Sequence, residues 1–384
     1  MKKIYFCFPV SRKLTGQELA SRLILKQLHK DFDFSIIHIP AFDREQPKLS
    51  LYPISYVCRL IIYWGHLSSL LFRRNAKVYF NLGQGILALI RDGLPLCLIA
   101  IFKKDMRLLI SLHGHIFTKW QRPSFKMNLL VKVLQKATCV TVLGPIEKDT
   151  LLKNGVAEKS VRIINNTCDI THSYEESTGT VNLLFLSNLL EVKGYKIYLQ
   201  YLEKLSEILV QKPLPEVTIK AVLCGQITNN RKFFNQKIYR SKYNWIEDKI
   251  ARINRLGKIK VSWVQGAYGS QKQELFSKSD LFIFPSYYAV EAQPIVLIEA
   301  MAASCAIITT GIGEINSMIN NESAVKIKSE NQAVAEIYDI IQNQERMKHM
   351  QQASHKRFAE CFSPEIYKKT WQETFNRLCE KQCP

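Results

Sequence analysis

Metal and redox motifs are missing from this sequence of 384 residues. Its ten cysteines run from Cys7 to Cys383 without one Cys-x-x-Cys pair, which removes thioredoxin-type chemistry and zinc ribbons. Many sit in apolar runs such as Tyr56-Val-Cys58 and Ala221-Val-Leu-Cys224 and read as reduced thiols of a cytoplasmic protein. No Gly-x-Gly-x-x-Gly, P-loop or His/Cys zinc spacing occurs, so dinucleotide oxidoreduction, ATP hydrolysis and zinc hydrolysis lose their marks. No uncharged apolar run reaches the ~18 residues of a membrane span. The nearest, Ile54 to Phe72, is interrupted by Arg59 and His66 and is expected to be a core or interfacial helix. The opening Met1-Lys-Lys-Ile-Tyr-Phe-Cys-Phe-Pro9 has too short an apolar stretch, and no small-residue cleavage site, for a secretory leader; it reads as a buried first strand. Short repeats and low-complexity tracts are absent as well.

Acidic residues are scarce, 33 against 53 Lys and Arg, for a formal charge of +20. Residues 1–178 carry 26 basic against 13 acidic side chains and residues 179–384 carry 27 against 20, so the first half is the more basic. Such a surface favours an anionic partner: nucleic acid, an acidic lipid leaflet or a phosphorylated substrate. Charge alone does not choose among them, and a merely solvated basic surface is the plain alternative.

A chain of this length exceeds one comfortable hydrophobic core, and 47% hydrophobic residues suffice for two. Short β-branched or aromatic runs alternate with helical patterns almost throughout, which predicts α/β architecture with largely parallel sheets. Strands are expected near Ile4–Phe8, Phe34–Ile39, Val78–Asn81, Leu108–Leu112, Thr138–Leu143 and Val161–Ile164, with helices such as Gly16–Lys30 and Phe125–Gln135 between them. The polar stretch Thr171–Thr180 reads as a linker. A second series follows: Val181–Leu186, Val217–Leu223, Lys258–Val264, Asp280–Phe284 and Ala306–Thr309, with a charged helical insertion around Arg231–Arg255. Ser363-Pro364 is a helix start, Ser as cap and Pro at the first position. The expected architecture is two doubly wound Rossmann-like domains facing a cleft: 1–175, 176–362, and a final helix and tail, 363–384, crossing back to the first. Ligands of such sheets bind beyond the carboxyl ends of the strands.

The most informative segment runs from Asp280-Leu-Phe-Ile-Phe-Pro-Ser through Glu291 and Glu299-Ala-Met-Ala to Gly313-Glu314. It reads strand, loop, helix, strand, turn. Pro294 suits the first helical turn, and a helix running to Ser304 would aim the free N–H groups around Ile295 at the loop that holds Glu291, a seat for a diphosphate. Glu299 lies on an otherwise apolar helix face, where a carboxylate needs partners. Taken singly, Glu291 reads equally as a solvated loop residue and Glu299 as the partner of a lysine; their joint occurrence in this frame is what shifts the balance.

Glu291-x7-Glu299, preceded by Phe-Pro-Ser and followed by Ala-Met-Ala, resembles the glycosyltransferase family 4 segment, whose enzymes are retaining and have the GT-B fold. That resemblance implies that Glu291 contacts the donor sugar and Glu299 the ribose hydroxyls. Leu184-Phe-Leu-Ser-Asn188-Leu-Leu-Glu-Val-Lys193-Gly194 extends the match: Lys193 would grip the donor diphosphate, while Asn188 stands where many members have Arg. Gly16 lies in a loop similar to the one that approaches donor and acceptor, and His113, in Ser111-Leu-His-Gly-His115, where the family commonly has a histidine near the transferred sugar. Gly225 and Gly266 fall where strand ends line the nucleotide-base pocket, and Asn165-Asn-Thr-Cys-Asp169 resembles a family turn with its Pro and Gly replaced. The Asp31-Phe-Asp33 triplet has a metal-binding form but precedes its strand and is expected to be a helix-to-strand loop.

The implied activity is metal-independent transfer of a sugar from a nucleotide-diphosphate sugar, a co-substrate in place of any cofactor, to an acceptor hydroxyl. Basic pairs such as Arg73-Arg74 and Lys103-Lys104 beside apolar stretches suit a lipid-linked glycan acceptor at an anionic membrane surface, as in O-antigen or capsule assembly. Nucleic acid is not among the implied partners. Two rivals stand beside this reading: a nucleotide-sugar epimerase of the same fold, and a non-catalytic basic protein that binds membranes.

Overall fold

In the computed structural model of the chain, residues 2–10, 16–40, 52–120, 124–170, 179–227 and 236–380 are described. The linker expected at 171–180 and the start of the charged insertion therefore fall mostly outside the described residues. Two compact units emerge, unit 1 comprising Met1–Asn166 with Glu365–Pro384 and unit 2 comprising Thr167–Pro364.

Unit 1 alternates strand and helix: β1 (Lys2–Val10), α1 (Gly16–Leu28), β2 (Phe32–Pro40), α2 (Tyr52–Ser69), β3 (Lys77–Asn81), α3 (Ile86–Ala88), α4 (Leu94–Phe102), β4 (Arg107–Ser111), α5 (Phe125–Leu134), β5 (Cys139–Val142), α6 (Pro145–Lys153) and β6 (Val161–Ile163). All six strands are parallel in the order β2-β1-β3-β4-β5-β6, with Ile4 opposite Phe34 and Phe80 opposite Ile110. A sheet covered on both faces needs strands that are apolar on both sides, and Val78, Tyr79, Phe80, Leu108, Leu109 and Ile110 are accordingly buried in succession.

Unit 2 repeats the scheme with β7 (Thr180–Leu186), α7 (Tyr195–Gln211), β8 (Thr218–Cys224), α8 (Gln236–Arg255), β9 (Ile259–Val264), α9 (Gly269–Ser277), β10 (Leu281–Phe284), α10 (Ile295–Ala302), β11 (Ala306–Thr309), α11 (Ile315–Met318), β12 (Ala324–Lys326), α12 (Glu330–Gln342) and α13 (Gln344–Cys361). The order is β12-β11-β10-β7-β8-β9, again wholly parallel. Helix starts are capped as their sequence dictates: the Ser329 hydroxyl accepts from the Gln332 N–H at 3.3 Å and the Asn343 side chain from the Arg346 N–H at 2.9 Å.

The last helix, α14 (Pro364–Cys379), lays Trp371, Phe375 and Leu378 into the unit 1 core that holds Phe6, Tyr79 and Ile24. Trp371 and Phe375 stack at 5.5 Å between centroids, and Phe6 stacks on Tyr79 at 4.1 Å. No disulfide joins any two of the described cysteines. No helix among the described residues is long and apolar enough to cross a membrane.

Candidate active site

Strand order fixes where each unit can hold a ligand. In unit 2 the chain proceeds outward from β7 through β8 to β9 and then from β10 through β11 to β12, so its direction reverses between the adjacent strands β7 and β10. Loops leaving the carboxyl ends of two such strands diverge and leave a crevice. The loop after β7 carries Asn188, Lys193 and Gly194; the loop after β10 carries Glu291. In unit 1 the reversal lies between β1 and β3, where Gly16 and Gln84 close the corresponding loops.

The two unit 2 loops touch. Gly194 has φ +89°, and a Cβ there would lie 2.2 Å from the Pro285 carbonyl oxygen, so only glycine lets the first loop press against the second. The Tyr287 N–H donates to the Val192 carbonyl at 2.9 Å and seals the contact. Lys193, one residue back, donates to a carboxylate oxygen of Glu291 and lies 5.0 Å from the centre of the Tyr288 ring. The Asn188 side chain is exposed on the same loop.

Glu299 occupies the core side of α10, only 7% exposed. The Lys272 ammonium of α9 donates to its Oε1 at 2.5 Å, while Oε2 is buried with no hydrogen-bond partner. Burial raises the Glu299 pKa above the usual carboxylate value, and Lys272 works against that rise. A half-satisfied buried carboxylate costs free energy, about 1–3 kcal/mol for a neutral group and more for a charged one, unless a donor supplies the missing bond.

Pro294 differs from its expected place. It takes the cap position of α10 with φ −65° and ψ 117°, and the helix proper begins at Ile295, whose N–H heads the uncapped first turn. The far end stops at Ala302, short of Ser304, because Ser304 adopts the left-handed conformation at φ +61°. There the Cys305 N–H reaches the Ala300 carbonyl at 2.9 Å and the Ser304 N–H the Met301 carbonyl at 3.1 Å, a Schellman closure without its usual glycine.

Strand ends on the other side of β7 are just as tight. A Cβ on Gly225 would meet the Ser187 carbonyl oxygen at 1.9 Å, and the Trp263 indole N–H donates to the Gly225 carbonyl at 3.1 Å. Gly266, at φ +106°, lies against the Gln226 side chain.

His113 and Gly16 belong to unit 1. His113 Nε2 lies 3.0 Å from the Ser111 hydroxyl, which accepts from the Thr141 hydroxyl at 2.8 Å. Loss of solvation pushes the His113 pKa down to about 4, so the ring is neutral at physiological pH. A Cβ on Gly16 would meet nothing within 4 Å; no crowding demands glycine there. The residues just before it, 11–15, lie outside the described set. Asp31 lies in the helix-to-strand turn, 3.6 Å from Lys368, whereas Asp33 is already the second residue of β2 and not part of the expected loop.

The structure thus brings Lys193 to Glu291 and sets Gly225 and Gly266 at neighbouring strand ends. Lys272, Tyr288 and Gln84 escaped the sequence reading. Lys272 is 27 positions from Glu299 on another helix, a pairing that no local spacing announces. Gln84 donates to the Gly114 carbonyl at 2.6 Å and keeps its own buried carbonyl oxygen without a partner. A hollow of about 600 Å³ near Leu209, Pro213 and Lys258 lies at the opposite, amino-terminal ends of β8 and β9, away from these groups. Among the described residues, no three His, Cys, Asp or Glu side chains gather as a metal site would require.

Comparison with known proteins defines the class. Residues 170–357, spanning all of this candidate site in unit 2, match the model of the glycosyl transferases group 1 family. Unit 2 therefore carries a glycosyltransferase group 1 domain. The whole chain has the GT-B fold. It is similar to Anabaena HepE, crystallised with UDP (15% identity, 98% of this chain and 100% of that one, TM-score 0.69). It is similar also to sucrose-phosphate synthase from Thermosynechococcus elongatus (14% identity, 98% and 99%, TM-score 0.70) and to a glycosyltransferase from Rickettsia africae (15% identity, 99% and 99%, TM-score 0.70). No curated protein matches the chain.

Proposed function

We propose that the chain transfers a sugar, with retention of anomeric configuration and without a metal, from a nucleotide-diphosphate sugar to a hydroxyl of a lipid-linked glycan in cell-surface polysaccharide assembly. The observation that carries the donor site is the buried Oε2 of Glu299, an acceptor without a partner on a carboxylate already fixed by Lys272. A ribose hydroxyl supplies the donor that this oxygen lacks. Lys193 and the uncapped start of α10 then take the diphosphate, as a point charge and a helix dipole do for phosphate. A diphosphate displaces Glu291 from Lys193 and frees that carboxylate to hold the sugar.

In the transfer the acceptor oxygen bonds to the anomeric carbon as the bond from that carbon to the diphosphate oxygen breaks; charge accumulates on the departing nucleotide diphosphate, which takes up the acceptor's hydroxyl proton. Lys193 and the α10 amides stabilise that charge where it develops. His113, neutral at working pH, serves as a hydrogen-bonding group for the sugar, and Gly16 admits the donor and acceptor; both assignments follow the family resemblance. Since HepE was crystallised with UDP, uridine nucleotides are the first donors to try. A screen of nucleotide sugars by thermal stabilisation tests the reading: the true donor at a hundred times its dissociation constant adds about 2.7 kcal/mol. Stabilisation by none of them refutes it. Incubation with the donor alone separates transfer from epimerisation, which would yield an isomerised nucleotide sugar.

A further inference from the structure

Two helices of unit 1 carry large aliphatic or aromatic side chains on their outward as well as their inward faces, yet are buried on one side only. The inner face of α2 seats Tyr63 and Leu67 in the core, while Ile54, Val57, Ile61 and Ile62 on its outer face are 51–63% exposed. Helix α4 repeats the pattern: Leu96 and Ile99 face inward, and Leu94, Leu98, Ile101 and Phe102 are 44–76% exposed. A helix of that kind normally has both sides covered. The two lie in one layer, joined where the Trp64 indole donates to the Arg91 carbonyl at 3.2 Å and where the Tyr63 hydroxyl donates to Asp92 at 3.1 Å. Scattered exposed leucines need no explanation, but a continuous apolar layer does.

Charge identifies what covers it. Both helical segments end alike, in Phe72-Arg73-Arg74 and Phe102-Lys103-Lys104, with the two phenylalanines 86% and 76% exposed. The ends are tied together, since the Asn75 N–H donates to Asp105 at 2.7 Å. Between Tyr52 and Lys104 the sole acidic residue is Asp92, fully buried against Arg91, while Arg59, Arg73, Arg74 and Lys104 are exposed. Asp105, next along the chain, lies 3.3 Å from Lys103. Apolar side chains bordered by cations match a bilayer with anionic headgroups, whereas two like-charged copies of this face would repel each other.

We propose that the outer face of α2 and α4 docks on an anionic lipid bilayer, its aliphatic side chains entering the headgroup boundary and its arginines and lysines engaging lipid phosphates. This rests on, and deepens, the lipid-linked acceptor proposed above: the layer starts beside the Gly83-Gln84-Gly85 loop at the carboxyl end of β3, where an acceptor head held in the membrane plane reaches unit 1.

Flotation of the full-length chain with vesicles tests it, using phosphatidylcholine alone and equimolar phosphatidylcholine and phosphatidylglycerol. The chain floats with the anionic vesicles at low salt, and far less at about 1 M salt, where charges are screened. Ile61→Ser/Leu98→Ser/Phe102→Ser weakens flotation at least about tenfold, and Arg73→Gln/Arg74→Gln/Lys104→Gln by on the order of a hundredfold. All these side chains point to solvent, so both variants keep the wild-type melting temperature and UDP affinity. A wild-type chain that binds UDP but does not float overturns the docking face and leaves the donor site standing. Flotation that persists in both variants also overturns it. So does a dimer in solution that the Ile61→Ser/Leu98→Ser/Phe102→Ser chain loses, because the occupant is then a second copy.

Discussion

Lys272 is the residue whose role the donor site makes most testable. Its ammonium offsets the burial that raises the Glu299 pKa. An acceptor of ribose hydroxyl protons works best ionised, so UDP affinity falls as pH drops through that raised pKa. Lys272→Met raises it further, and the fall in affinity then begins at a higher pH; Lys272→Arg keeps the charge and restores the wild-type profile. Calorimetric titrations with UDP across pH 5 to 8 check this, and superimposed profiles for wild type and Lys272→Met would show that Lys272 has no such influence. Stability runs with the opposite sign. A carboxyl whose pKa is higher in the fold than in the unfolded chain binds more protons when folded, so its contribution improves as pH falls through the raised value and is least favourable above it. Glu291 makes a different prediction. Glu291→Gln removes the competitor for Lys193, so UDP binds at least as tightly as before while the rate of transfer falls by roughly tenfold or more. Undiminished transfer in that variant contradicts the sugar-positioning assignment.

Among the elements, the loop between β7 and α7 is the least tolerant of change. Gly194→Ala meets both a left-handed backbone and a carbonyl oxygen at 2.2 Å, so the two crevice loops must part. The cost is expected at about 2 kcal/mol or more, seen as a lower melting temperature together with weaker UDP binding. Elements of this kind were largely legible beforehand. Apolar runs such as Leu281-Phe-Ile-Phe are short, doubly buried strands, and eleven strands were placed from such runs near their observed positions. The twelfth, Ala324–Lys326, was not placed. Ile54 to Phe72 was legible as a helix, core or interfacial, and only the fold shows that its outer face is exposed. At the site, chemistry with a local frame was readable: Lys193 beside a glycine, and two glutamates eight positions apart. The Lys193–Glu291 contact depends on strand order, and the Lys272–Glu299 contact on the packing of two helices, and neither leaves a trace in local spacing.

At the scale of the whole chain, α14 belongs to unit 1 although it follows unit 2 in sequence. Trp371, 1% exposed, fills the core around Tyr79 and Phe375, so Trp371→Ala should destabilise unit 1 by about 3–5 kcal/mol, a loss that chemical denaturation would register. Donor affinity, carried by unit 2, should be spared wherever unit 1 stays folded. The account of the molecule turns on Glu299, because the family match, the strand reversal and the partnerless buried oxygen all converge on unit 2 there. Calorimetric titration of UDP into wild type and Glu299→Gln is the most direct measurement. A hydrogen bond to a charged group is worth about 1.5–3 kcal/mol, so the substitution should weaken UDP by roughly ten- to a hundredfold at an undiminished melting temperature. Equal affinity in the two proteins, or no binding by the wild type, would contradict the donor site described for this enzyme.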